Sequence, residues 1–270
     1  MNLLLFVVEH PFLEPAVKLA RSLAKQSDSR LTLLFARWEE KGQQRAQTAL
    51  KEAQAILGDQ KIDAKVATGK PVELLFDEIE TGRYDMLVVG ASKRLGFLKK
   101  VADSVDSRVL KEPAIPVMVV TEERPEIKRM LICTGGQEIS EPVVKAGADL
   151  AEVLGAEATL LHVGSNMPSM YSGLDEMEET TEELLDTDTP LARNLRRGAE
   201  ILADHEVPAE LDVEHGIVAE EILRESEEGD YDLIVMGASG ARVNFLGWLQ
   251  GDVTSEVIDR SPAPVLIVGH

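Results

Sequence analysis

At 270 residues with 44% apolar side chains, the chain is long enough for one large domain or two ordinary ones and too hydrophobic for global disorder. Aromatics make up only 4%, which argues against a β-sandwich or an aromatic binding platform. A formal net charge of -20 excludes nucleic acid and anionic lipid as main partners, but not a small anion held by local dipoles and a few bases.

The chain opens with NLLLFVV, a short apolar run that reads as a buried strand. It has no basic flank and is too short for the core of a signal peptide. No apolar stretch approaches the roughly 20 residues of a membrane helix. These features predict a soluble, cytoplasmic protein with no membrane insertion. LEPAVKLARSLAKQ follows with apolar residues at helical spacing and an acid in its first turn. Then come strand RLTLLFA, helix QRAQTALKEAQAIL, strand KIDAKVATG, helix VELLFDEIE, strand MLVVGA, helix SVDSRVLKEP and strand VMVV. Residues 121–128, TEERPEIK, form a charged linker containing Pro125.

The series then repeats. RMLICT, EPVVKAGADLAEVLG, EATLLHV, ARNLRRGAEILADH, AELDVEHG, AEEILRESE, LIVMGA, DVTSEVIDRS and VLIV read as the same nine elements. Gly69–Ser92 aligns with Gly216–Ser239 without a gap, and both end in Gly-Ala-Ser. Strands alternating with helices predict right-handed βαβ units on a parallel sheet. The expected fold is α/β: two tandem doubly wound parallel-sheet domains, 1–123 and 127–270. Cys133, the single cysteine, lies in MLIC and reads as a small buried hydrophobe rather than a reactive thiol. With no intrachain disulfide available, the chain suits a reducing compartment.

The second half carries an insertion at about 165–190. Asp175–Asp188 holds eight acids and no base. The composition predicts a solvated, partly disordered excursion, with a lid or a docking tail for a basic partner as the functional alternative. It lacks the spacing and glycine of a calcium loop.

Open parallel sheets bind ligands beyond the carboxyl ends of their strands, here between the first and fourth strand of each half. The fourth strands run into GASKRLGFLKKVADSVDS and GASGARVNFLGWLQGDVTSE. Glycines in this position let backbone N–H groups approach a phosphate, and the following helix adds its dipole. His10, His162 and His215 stand at no metal-ligand spacing from a Cys or an acid. Trp248 reads as a packing residue within the second loop. Nucleophile elbow, P-loop lysine and dinucleotide motifs are missing, so no catalytic residue is assigned.

These loops, with their repeated flanks, resemble the universal stress proteins in their tandem form, over nearly the whole chain. The family pattern is a fourth strand ending in Gly, then G-x-x-G, nine residues, G-[ST], and a helix before a proline-bracketed last strand. The resemblance implies an adenine nucleotide alpha hydrolase-like sheet. It also implies ATP or another adenine nucleotide, with Mg, at the glycine loop, and last strands that pair across a two-fold axis. In a tandem chain that pair forms an internal pseudo-dimer; a further homodimer and an unidentified protein partner are also open. In the second half Gly237, Gly240 and Gly251 match the family glycines. Gly247 is an additional glycine in a spacer of ten. Asp252 replaces Ser or Thr, and Thr254 follows two residues later. Thr134 and Gly135 stand where the first-strand Asp is expected, and Val163 matches an adenine-side position. In the first half Glu9 stands near the family Asp, and Gly90 and Ser104 are kept. Lys93 and Asp103 replace the second and third glycines, beside Arg94, Lys99 and Lys100.

An acid about 4 Å from a phosphate charge costs about 1 to 4 kcal/mol, or one to three decades of affinity. At Asp252 a magnesium ion would turn that repulsion into a bridge. The expected function is a stress-response or regulatory factor with nucleotide in its second half. With no general base or arginine finger evident, any ATP hydrolysis would be slow. The alternatives are a nucleotide-free interaction module, and an adenylating or flavoprotein-like enzyme whose signature motifs are missing.

Overall fold

The computed structural model describes residues 1–7, 13–37, 43–58, 62–90, 113–124, 126–137, 140–164, 181–238 and 253–269. The first half supplies β1 (Asn2–Val7), α1 (Leu13–Gln26), β2 (Arg30–Arg37), α2 (Gln43–Leu57) and β3 (Ile62–Thr68). It continues with α3 (Pro71–Ile79), β4 (Met86–Gly90) and β5 (Val117–Val120). The second half supplies β6 (Arg129–Thr134), α4 (Glu141–Leu154), β7 (Glu157–Gly164), α5 (Thr181–Leu185) and α6 (Pro190–Asp204). Then follow β8 (Ala209–His215), α7 (Val218–Glu228), β9 (Leu233–Gly237), α8 (Val253–Arg260) and β10 (Val265–Val268). The fourth helix expected in the first half lies outside the described residues.

All ten strands form one sheet in the order β3-β2-β1-β4-β5-β10-β9-β6-β7-β8. Every neighbouring pair is parallel except β5 and β10, which run antiparallel. Their register is reciprocal: Val265 faces Val119, Leu266 faces Met118 and Ile267 faces Val117. A pseudo-two-fold axis therefore passes through the Met118–Leu266 pair. The two halves form the internal pair that the sequence resemblance implies.

Strand periodicity distributes the core over both faces of the sheet. Leu3, Leu5 and Val7 turn toward α1 and α2, whereas Leu4 and Phe6 turn toward the face that holds α3. In the second half α4 and α6 share the first face, and α7 and α8 cover the second. Burial on both faces explains why the central strands read as continuous apolar runs. Ile127, inside the charged linker, is 2% exposed and packs into the first core, so it pins the connection between the halves. Lys18 of α1 adds a 2.8 Å ion pair to Glu123 beside it.

The acidic insertion is structured at its described end, from residue 181 on. Its last part forms α5, with Leu184 buried. Arg196 donates to the carbonyls of Leu185 and, at 2.9 Å, of Thr187, while Arg193 holds Asp188 at 2.8 Å. Thr189 then caps α6 by accepting from the Ala192 N–H at 3.2 Å, with Pro190 opening the helix. The end of the acid run, at Asp188, is held here by bases on the helix that follows it. Residues 165–180 lie outside the described residues. Among the described residues, no helix is long and apolar enough to cross a membrane.

Two measurements test this packing. Leu266→Ala should cost about 2 to 5 kcal/mol in urea unfolding, because it opens a cavity at the pseudo-two-fold axis. Val153→Ala, on an exposed side of α4, should change stability by less than about 0.5 kcal/mol. On α6, the His205 Nδ1–H donates to the Ile201 carbonyl at 2.8 Å, and Nε2 meets Asp149 of α4 at 3.0 Å. The Ile201 carbonyl, then Asp149, raise the imidazole above its ordinary value. That stabilisation is present below the free-imidazole value of about 6.5 and is lost as pH rises through the folded value. His205→Gln should remove this part of the pH dependence in denaturation curves recorded between pH 5 and 8.

Candidate functional site

Adjacent strands β6 and β9 send their chains to opposite faces of the sheet: β6 leads to α4 on one, β9 leads toward α8 on the other. Where helices leave a parallel sheet in this way, ligands bind in the crevice beyond the carboxyl ends of the strands, here the switch point of the second half. Thr134 ends β6, Gly237 ends β9 and Val163 lies near the end of β7. Gly135 and Ala238 continue from the first two. The crevice mouth is thus built from small residues.

Each side of the mouth is held by its own hydrogen bonds. Gly136 takes a φ of +68° and donates its N–H to Thr134 Oγ1 at 3.1 Å. The Gly135 N–H donates to Ser140 Oγ at 3.1 Å. His162, 8% exposed on β7, donates from Nδ1 to the Thr134 carbonyl at 3.0 Å. Asn194 of α6 donates to the Gly136 carbonyl at 3.1 Å. On the other side the Ala238 N–H donates to the Val268 carbonyl at 2.9 Å. Thr254, 3% exposed in α8, donates its hydroxyl to the Gly237 carbonyl at 3.4 Å.

Of the sequence-predicted residues, Thr134, Gly135, Val163, Gly237 and Thr254 fall on described parts of this crevice. Gly240, Gly251 and Asp252 lie outside the described residues, as do Gly247 and Trp248. In the first half β1 and β4 are neighbours in the same arrangement, and Gly90 ends β4. Glu9, Ser104, Lys93 and Asp103, together with His10, lie outside the described residues. Cys133, one residue before Thr134, packs against the second core, and burial pushes its thiol up to about 12. It is therefore protonated and unreactive at neutral pH. His215 ends β8 with its ring beside Gly164 at the end of β7.

Sequence reasoning missed Ser140 and Asn194, whose only signal was a polar residue near each helix start. It also missed that Asp212, Glu214 and Glu225 gather their carboxylate oxygens within 4.8 Å of one another. Strand alternation was the signal for the first two: they stand two apart on β8 and share a face.

The Gly136 turn gives a direct test. A Cβ there would lie 2.2 Å from Leu191 Cδ1 and 2.9 Å from His162 Cε1, on a backbone that L residues disfavour. Gly136→Ala should lower stability by about 1 to 3 kcal/mol in chemical denaturation.

Known proteins agree with this architecture. A model of the universal stress protein family matches twice, at residues 3–121 and 126–269. Universal stress protein YxiE of Bacillus subtilis is 30% identical over 145 residues, which is 97% of its length and 52% of this chain. Universal stress protein MJ0531 of Methanocaldococcus jannaschii is 28% identical over 141 residues, 81% of its length and again 52% of this chain. Among solved structures, a universal stress protein from Archaeoglobus fulgidus aligns at a TM-score of 0.71 with 18% identity, over 99% of this chain and 96% of its own. The chain is therefore a tandem member of the universal stress protein family.

Proposed function

We propose that the protein is a regulatory stress factor that takes one adenine nucleotide, with magnesium, in the crevice of its second half. The observation that supports this most is the divergence of β6 and β9 to opposite faces, with Gly135, Gly237 and Ala238 at the mouth. Small residues leave space for a planar base and a ribose, and Val163 supplies an apolar wall on the β7 side. Thr134 replaces the expected acid. Its oxygen accepts from Gly136 and its proton remains to donate to a ribose or base oxygen. Gly240 and Gly251 are the glycines that would present backbone N–H groups to phosphates, and Thr254 fixes α8 against the end of β9 behind them. Asp252 would meet the phosphates through magnesium. In the first half, Lys93 and Asp103 occupy glycine positions, so that half is the poorer site.

A second reading, a nucleotide-free interaction module, draws on the charge distribution. Residues 1–123 contain as many acids as bases, so the whole net charge resides in the second half with the acidic insertion. Its partner would be basic.

Isothermal titration with Mg-ATP separates the two. The nucleotide reading expects a stoichiometry near one per chain, loss of binding in Gly237→Val, and weakening by EDTA. If Asp252 repels rather than bridges, Asp252→Ser should instead tighten binding by about one to three decades. No heat at millimolar ligand would overturn the nucleotide reading and leave the interaction module.

A further inference from the structure

The two halves differ in charge at one partly buried corner, where the third strand meets the third helix. In the first half, Lys65 of β3 reaches Glu78 of α3 at 2.6 Å, and the Tyr84 hydroxyl donates to the same carboxylate at 2.5 Å. Burial pushes the Glu78 carboxyl up, but Lys65 and Tyr84 outweigh it and hold the group below its ordinary value. The repeat places Asp212 at the position of Lys65, Glu225 at that of Glu78 and Tyr231 at that of Tyr84. An acid thus stands where the twin has its cation.

The second-half corner is also short of donors. The Tyr231 hydroxyl turns to Thr159 Oγ1 of β7 at 2.7 Å. Arg224, on α7, reaches Glu214 at 3.1 Å but is shared with Glu221 at 2.8 Å and Glu228 at 2.9 Å. Arg129 lies over the Tyr231 ring, 4.9 Å from its centre, and donates to the Gly229 carbonyl. The carboxylate oxygens of Asp212, Glu214 and Glu225 remain within 4.8 Å of one another. Burial first, then Asp212, push the Glu225 carboxyl up, Glu214 and Glu228 adding to the effect and Arg224 opposing it. β8 is the last strand of the sheet and pairs, among the described residues, only with β7. Its contact with α7 therefore adds to the β7 ladder in holding that edge on the second face.

We propose that Glu225, packed beside Asp212, is a proton-operated clasp between α7 and β8, closed when its carboxyl is protonated and loosened when it ionises next to that acid. The proton comes from solvent on closing and returns to it on opening. Two carboxylates this close, partly screened from water, repel when both are charged. A raised folded value means that the stabilisation is full below the ordinary carboxylate range and is lost as pH rises through the folded value. The Lys65–Glu78 corner has the opposite sign on the acid side: its stabilisation is lost as pH falls through the lowered value of Glu78, and otherwise only in strong alkali as Lys65 gives up its proton. One fold, written twice, thus carries corners that respond to pH in opposite senses.

Hydrogen exchange on the full chain, in EDTA and corrected for intrinsic rates, tests this with the twin as internal control. Between pH 5 and pH 8, protection of residues 209–228 should fall severalfold, by about tenfold for each unit of upward shift. Protection of residues 62–79 should stay constant. Asp212→Lys, which rebuilds the twin's ion pair, should abolish the fall, and Asp212→Asn, which removes one charge and leaves Glu225 buried, should shrink it. Both variants leave His205 intact, so its separate pH response cancels in the comparison. A fall undiminished in both variants would overturn the clasp, as would a segment 209–228 indifferent to pH. Full protection restored at pH 8 by millimolar Mg²⁺ or Ca²⁺ would also overturn it, by making a cation rather than a proton the neutralising partner.

Discussion

The antiparallel pairing of β5 with β10 is the constraint from which the rest of the architecture follows. Without it, each half is an open five-stranded sheet with an exposed apolar edge at its last strand. With it, those two edges satisfy one another, and Met118 and Leu266 sit fully buried where the halves meet. The pairing also reverses strand direction across the junction. The carboxyl ends of β1 and β4 therefore face one end of the sheet, and those of β6 and β9 face the other. The two crevices cannot pool their residues. Each half must supply its own chemistry, and each is free to lose it separately.

The halves have used that freedom. Their strand order and register agree, while several charged groups at matching positions do not. Lys65 matches Asp212. Lys93 and Asp103 stand in the first half where Gly240 and Gly251 stand in the second. The first half is balanced in charge, and the second holds all of the excess acid. Core positions resist such change because a volume error is felt by every neighbour. Loop and corner positions face water on one side and tolerate it.

This division also explains what was legible in the sequence. Alternation and buried runs located every described strand, since side-chain direction along a strand is fixed by geometry and a short apolar run such as MLVVG or LIVMG can be little else. The gap-free repeat from Gly69 and Gly216 makes the doubled fold visible in the order of residues alone. The ties that shape the crevice were not legible. Ser140, Asn194 and His162 act on Thr134, Gly135 and Gly136 from three separate elements. Only the folded chain brings those elements together. The anchoring of the insertion's end was hidden for the same reason: Arg193 and Arg196, which hold it, lie on the helix after it. Ile127 was hidden inside a charged linker, where one apolar residue gives no periodic signal.

The central claim is that two copies of one scaffold now differ in what they bind. A native mass spectrum of the full chain in Mg-ATP reads that asymmetry most directly. The account requires a single nucleotide adduct per chain, kept when Gly90 in the first half is changed to Val and lost when Gly237 in the second is. Two adducts per chain, an adduct that follows Gly90 rather than Gly237, or none at all would contradict it.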